Sequence, residues 1–78
     1  MDWLVVRFPY VRDVFVDGQR VGVTNTRLAV GSGGHTIHLG VPVAYLPRVW
    51  QGVIAHTTMA NPAVVTFQPA AAGAALRV

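Results

Sequence analysis

Short apolar segments, separated by glycine, proline and small polar residues, follow one another along the chain from Trp3 to Phe67. They are rich in valine and in other β-branched or aromatic residues, a pattern typical of β-strands. Strands are predicted over residues 3–7, 14–16, 20–23, 27–30, 35–39, 50–57 and 64–67. The pattern therefore predicts an all-β fold, a small antiparallel β-sandwich of about seven short strands.

The clearest turn is predicted at Asp17-Gly18, between the second and third strands. Asp-Gly accepts the positive φ angles of a two-residue hairpin turn, so these two strands are expected to pair antiparallel. Gly22 in the returning strand and Gly34 at the entry to the fifth strand are likewise assigned structural turn roles.

Alternation within the predicted strands separates a core face from a solvent face. In the fifth strand, His35, Ile37 and Leu39 fall on one face, and Thr36 and His38 fall on the other. The expected core is built from alternate apolar residues of several strands: Val14, Val16, Leu28, Val30, Ile37, Leu39, Val65 and Phe67.

Pro69 is predicted to end the domain, because proline has no N–H group to donate to a strand ladder. One domain is therefore expected over residues 1–68, followed by a flexible alanine-rich tail over residues 69–78.

Five short motifs share an order and spacing with a known family: Val16-Asp17-Gly18, Val21-Gly22-x-Thr24, Gly34-His35-x-Ile37, Tyr45 after a proline, and Asn61-Pro62 before a strand. Over about residues 3–68 the chain thus resembles the PEGA domain family, small non-catalytic β-sandwiches found mostly in bacterial surface and envelope proteins. The resemblance implies structural roles for these residues and a binding or spacer role for the domain. Transthyretin-like and carboxypeptidase-regulatory-like sandwiches are near neighbours.

The chain departs from the family pattern at two positions. Asn25 stands where the family usually has proline, and Ala44 stands where it has the glycine of a Gly-Tyr pair.

Composition points to an interaction surface. Hydrophobic residues make up 53% of the chain and charged residues 12%, with a mean hydropathy of +0.46. Soluble domains average about 25% charged residues. A domain this small has too little interior for so many apolar side chains, and exposed apolar patches usually mark interfaces. We therefore expect self-association or a stable protein partner.

The charge pattern and the lack of cysteine limit which partners and metal sites the chain can have. Net charge is +3, from six arginines without a basic run and three aspartates. Aromatic residues Phe8, Tyr10 and Phe15 lie near Arg7 and Arg12, but no RNA-binding motif accompanies them, so no nucleic-acid partner is expected. The chain has no cysteine, which excludes disulfides and thiolate metal sites.

No signal peptide and no membrane-spanning run are predicted. A cytoplasmic location is expected if Met1 is the natural start, whereas the family resemblance implies the cell envelope.

Candidate chemistry is sparse, and the chain is predicted to be non-enzymatic and to bind no cofactor or metal. Ser32 lies in a glycine-rich turn, and a triad would have to assemble from distant residues. His35 and His38 lie on opposite strand faces, so they cannot both ligate one ion, although His56 could join either. The run Gly31–Gly34 precedes a strand rather than a helix and lacks the phosphate-loop lysine.

Four aromatic residues are the candidate interaction surface: Trp3, Tyr10, Tyr45 and Trp50. Large amphipathic rings are common hot spots in protein interfaces. The alternatives are that the rings stack on sugar rings, or that one tryptophan belongs to the core and the other caps the edge of the sandwich. The predicted function is a non-catalytic protein-interaction or scaffolding module, self-associating through this surface or a sheet edge. The alternative is a carbohydrate-binding module.

Overall fold

The computed structural model describes residues 1–70, and these fold into nine β-strands without a helix. The strands are β1 (Asp2–Arg7), β2 (Asp13–Val16), β3 (Gln19–Val23), β4 (Arg27–Val30), β5 (Gly33–His38), β6 (Tyr45–Leu46), β7 (Trp50–Ile54), β8 (Ala63–Thr66) and β9 (Gln68–Pro69). The predicted all-β class is confirmed. Over the same residues, no helix is long and apolar enough to span a membrane.

The strands form a three-stranded sheet in the order β4-β1-β8, a four-stranded sheet in the order β3-β2-β5-β7, and a small β6-β9 ribbon. All pairs are antiparallel except β1 with β8, which run parallel. The predicted strand over 50–57 is too long. It ends at Ile54 because His56 takes a positive φ of 59°, outside the range of extended backbone.

The predicted Asp17-Gly18 hairpin is present. Asp17 has φ 52° and Gly18 has φ 86°, the two positive angles of a type I′ turn. Gly22 and Gly34 lie within β3 and β5 rather than in turns. Gly22 serves the packing of the two sheets instead, because a Cβ there would collide with Leu28 Cδ2.

The core lies between the two larger sheets and contains all eight residues predicted for it. Strand alternation explains this result for the six residues that lie on strands, and Leu39 and Phe67 continue the alternation directly after β5 and β8. Five further apolar side chains complete the buried cluster: Leu4, Val6, Phe8, Tyr45 and Ile54.

Asn25 forms the corner that links the two sheets between β3 and β4. Its φ is 64°, its side-chain Oδ1 accepts from Phe8 N at 3.2 Å, and its Nδ2 donates to Phe8 O at 2.8 Å. A proline, with φ fixed near about −65°, could take neither this backbone angle nor these bonds.

Strand pairing continues beyond the predicted domain end at residue 68. Tyr45 is the register partner of Pro69 in the β6-β9 ribbon, and Ala70 N donates to Ala44 O at 3.0 Å. Proline is tolerated here because a short ribbon does not require its missing N–H. Residues 71–78, the rest of the predicted tail, lie outside the described residues.

Candidate interaction surface

Tyr45 does not belong to an exposed surface, and its assignment to the interaction surface is corrected. Its side chain is 1% exposed and packs edge-to-face on Phe67, with the ring centroids 5.6 Å apart. The hydroxyl donates to Gly40 O at 2.8 Å and accepts from Leu39 N at 3.2 Å. The guanidinium of Arg12 lies 5.3 Å from the ring centroid. Tyr45 is therefore a core residue whose hydroxyl fixes the loop between β5 and β6, which precedes it in the chain.

Trp50 points toward the core and is half-buried. It begins β7 on the same strand face as the buried Ile54, and its ring lies across Gly52, where a Cβ would come within 2.6 Å of the ring. Glycine at position 52 leaves the space for this ring, and Trp50 covers one margin of the sandwich.

Trp3 and Tyr10 occupy separate parts of the surface. Trp3 is half-buried on the outer face of β1, while Tyr10 lies beyond the end of that strand and is 64% exposed. The Tyr10 ring packs on Phe8, with the centroids 5.8 Å apart. The four aromatic residues thus form no common platform, because each is positioned by a different element.

The two edges of the four-stranded sheet differ in shape and charge. Edge strand β3 carries an extra residue, Val21, because Val14 pairs with Gly22 whereas Phe15 pairs with Arg20. Arg20 Nε also donates to Asp13 Oδ1 of β2 at 2.9 Å. A bulge and charged side chains are two devices by which proteins protect strand edges from pairing.

Edge strand β7 has neither device. It pairs with β5 without a register shift, from Gly33 opposite Ile54 to Ile37 opposite Trp50, and it contains no charged residue. Gln51 and Val53 point outward, and Val53 is 74% exposed. Within residues 1–70, β7 has a strand neighbour on one side alone. Its other side therefore presents a regular row of backbone donors and acceptors.

The edges of the three-stranded sheet are shorter and interrupted. Strand β4 begins at Arg27, and β8 lies between Pro62 and Pro69. Charged residues and prolines both discourage the addition of another strand. Among the strand edges described, β7 is the most open to pairing.

Two polar clusters fix the turns beside the sheets. Asp2, 3% exposed, accepts from Ser32 Oγ and, through Oδ1, from Thr57 N at 2.8 Å and Thr57 Oγ1 at 2.7 Å. These bonds, with that of Ser32 the strongest, lower the pKa of Asp2 to about 2. Asp2 thus holds the loop after β7 and the turn before β5 against the start of β1.

The second cluster joins His35 to two acceptors. Its Nε2 lies 2.5 Å from Gly31 O and its Nδ1 lies 2.7 Å from Asp17 Oδ2. Because a carbonyl and a carboxylate can only accept, both ring nitrogens carry hydrogen in this geometry. The Gly31 carbonyl, followed by Asp17, raises the pKa of His35, and the amide of Thr36, followed by His35, lowers the pKa of Asp17.

These contacts bring an aspartate, a histidine and a serine into one region without aligning them as a triad. A general base needs an unprotonated nitrogen directed at the nucleophile. Both nitrogens of His35 face other acceptors, and Ser32 Oγ donates to Asp2.

The other histidines are placed apart from His35. His38 stacks on Phe15 on the outer face of the four-stranded sheet, with the ring centroids 5.0 Å apart, and its Nδ1 accepts from Gly40 N at 3.0 Å. His56 is exposed in the loop after β7. Over residues 1–70, no three metal-ligating side chains come together.

The sequence gives only indirect evidence that β7 is the free edge strand. The expectation of a free sheet edge did not say which strand would supply it, since that depends on strand order. The available signal was the run from Val49 to Thr58, which contains no aspartate or arginine.

Compared with known proteins, the chain shows no match to a family model, to a curated protein or to a solved structure.

Proposed function

We propose that this domain is a non-catalytic protein-interaction module that associates with a second copy of itself through the edge of β7. In the proposed pair, the two β7 strands lie antiparallel about a two-fold axis. The two four-stranded sheets then form one continuous sheet. Backbone hydrogen bonds supply the pairing, as in other cases of strand addition at a sheet edge.

The observation that carries the proposal is the contrast between β7 and β3. Both are five-residue edge strands of one sheet, but β3 is bulged and charged while β7 is regular and uncharged. Identical strands without charge can approach each other without like-charge repulsion, which favours a second copy as the partner. The low charge content of the whole chain supports the same view.

The polar clusters support a non-catalytic role. His35 is engaged by two acceptors and Ser32 by Asp2, so the described residues offer no nucleophile beside a free base.

The motif resemblance to PEGA domains supports a bacterial scaffolding or spacer role and, by family analogy, favours a location in the cell envelope.

The carbohydrate alternative gains no support from the aromatic residues. Sugar stacking requires exposed rings on one face, whereas Tyr45 is in the core and Trp50 faces it.

The experiment compares the full chain with Val53→Lys and its matched control Val21→Lys. Both valines are exposed on edge strands of the same sheet, so the two substitutions add the same charge at opposite edges. Light scattering coupled to size exclusion, over a hundredfold concentration range, measures the mass. We expect a concentration-dependent dimer for the wild type and Val21→Lys, and a monomer for Val53→Lys.

A wild type that stays monomeric throughout the range would overturn the proposal. So would a dimer that both lysine variants leave intact, because its interface would then lie away from β7.

A further inference from the structure

A second surface feature is a cleft on the outer face of the three-stranded sheet. It has a volume of about 530 Å³, within the range of small-ligand sites. Val5 and Val64 form an apolar floor, Arg7 and Arg27 line it, and residues 60–62 and 25–26 complete its rim. We refer to this feature as the arginine cleft.

Strand register places the two arginines on the same face. Val5 is the partner of Arg27 on one side and of Val64 on the other, and Arg7 follows two residues later on β1. Residues two apart on a strand share a face, so Arg27 and Arg7 are diagonal neighbours across β1 and β4. Such neighbours lie about 7–8 Å apart, close enough for both guanidinium groups to contact one small anion.

Arg27 is held in position by the loop that crosses toward it. Its Nε donates to Met59 O at 2.8 Å, which leaves the two terminal nitrogens for another acceptor. Arg7 is exposed, and within residues 1–70 its side chain has no hydrogen bond or salt bridge. Arg27 is thus held in a fixed orientation, and the Arg7 side chain is available to bind a ligand.

Among residues 1–70, no carboxylate lies in the cleft to balance these charges. The chain has three aspartates and no glutamate, and each aspartate is engaged elsewhere: Asp2 with Ser32 and Thr57, Asp13 with Arg20, and Asp17 with His35 and Thr36. Two like charges at this spacing repel each other, and an anion between them would reverse the sign of that interaction.

We propose that the arginine cleft binds an oxyanion, a carboxylate or phosphate group, on a small ligand whose apolar part rests on Val5 and Val64. Planar guanidinium groups match the geometry of both oxyanions and form charge-assisted hydrogen bonds with them. The proposal is independent of the β7 edge, since the cleft lies on the other sheet.

The test uses the isotope-labelled full chain, with backbone amide NMR signals followed during titration. The probes are inorganic phosphate and succinate, added separately at constant ionic strength. The variants are Arg7→Gln and Arg27→Gln, and the matched control is Arg48→Gln, which removes the same charge from an exposed site outside the cleft.

We expect saturable shifts at residues 5–7, 27 and 60–64 with at least one probe. Each cleft variant should weaken that binding by about tenfold or more, while Arg48→Gln leaves it within about twofold. A response to phosphate alone or to succinate alone would identify which oxyanion the cleft prefers.

Arg27→Lys provides a second check that does not depend on net charge. It retains the charge but loses the planar fork, so we expect weaker binding with an unchanged amide spectrum elsewhere. The proposal would be overturned if neither probe gave saturable shifts. It would also be overturned if all three Gln variants lost the same binding affinity, because general electrostatic attraction gives that result.

Discussion

The two edge strands of the four-stranded sheet, β3 and β7, are equal in length yet differ in what they present to a neighbour. An extra residue at Val21 interrupts the β3 ladder, and the Arg20–Asp13 ion pair adds charge beside it. Strand β7 keeps an unbroken register with β5 and has no charge. Proteins commonly protect exposed edges, so an edge without protection is informative. The difference indicates which side of the sheet is suited to assembly.

The largest expected effect is a loss of stability, caused by a substitution in the core and not at either edge. Tyr45→Ala removes a fully buried ring and its two hydrogen bonds, and truncations of buried aromatic residues typically cost about 3–5 kcal/mol. We expect a large fall in the free energy of unfolding, measured by urea denaturation. If Tyr45→Ala instead abolished assembly and kept wild-type stability, Tyr45 would be an interface residue and the assignment of assembly to β7 would be wrong.

A glycine in each edge strand allows a matched comparison of packing. A Cβ at Gly22 would meet Leu28, which is buried between the sheets, whereas a Cβ at Gly52 would meet the half-buried ring of Trp50. Gly22→Ala should therefore lower the free energy of unfolding by about 1–3 kcal/mol, the usual range for overpacking a core.

Gly52→Ala should lower the free energy of unfolding by less than Gly22→Ala does, because the ring of Trp50 can move toward solvent. Urea denaturation measures the two costs, and a shift of tryptophan emission to longer wavelength should accompany Gly52→Ala alone. Equal costs without an emission shift would contradict this account of the β7 side.

A smaller effect concerns the polar contact between the inner strand β5 and the β2–β3 turn. His35 bonds Asp17 in the β2–β3 turn, and its register partner in β7 is Gly52. Because the pKa of His35 is raised in the folded state, its contribution to stability is complete below the unfolded pKa of about 6.5 and is lost as pH rises through the folded pKa. The pKa of Asp17 is lowered, so its contribution is lost as pH falls below about 4.

The variant His35→Gln tests this contact. Between pH 5 and 9, chemical denaturation should show the wild type losing stability with rising pH, and the variant should show a flatter profile. Parallel profiles for the two proteins would mean that His35 is not protonated in the folded state.

Acid unfolding gives a separate check on Asp2, whose contribution to stability should fall as pH decreases from about 4 toward 2.

Sequence reasoning was most successful where the determining interactions are local. The Asp17-Gly18 turn follows from backbone preference, and the buried positions of β2, β4, β5 and β8 follow from alternation. The sequence alone singles out Asn25 as a departure from a motif, but its bonds to Phe8 depend on how the sheets meet.

The remaining features depend on contacts between distant segments. The parallel pairing of β1 with β8, the β6-β9 ribbon and the bulge at Val21 all require the register of strands that local patterns do not specify. The sequence pattern assigns Tyr45 to the surface because tyrosine serves both interiors and interfaces, whereas its burial depends on a donor at Leu39 and an acceptor at Gly40.

The most direct measurement is amide hydrogen exchange of the wild type at low and high protein concentration, resolved by residue. If two copies pair through β7, outward-facing amides of residues 50–54 should exchange more slowly at high concentration, while those of β3 should not change. Equal exchange of the β7 amides at both concentrations, or slowing confined to β3, would contradict the account.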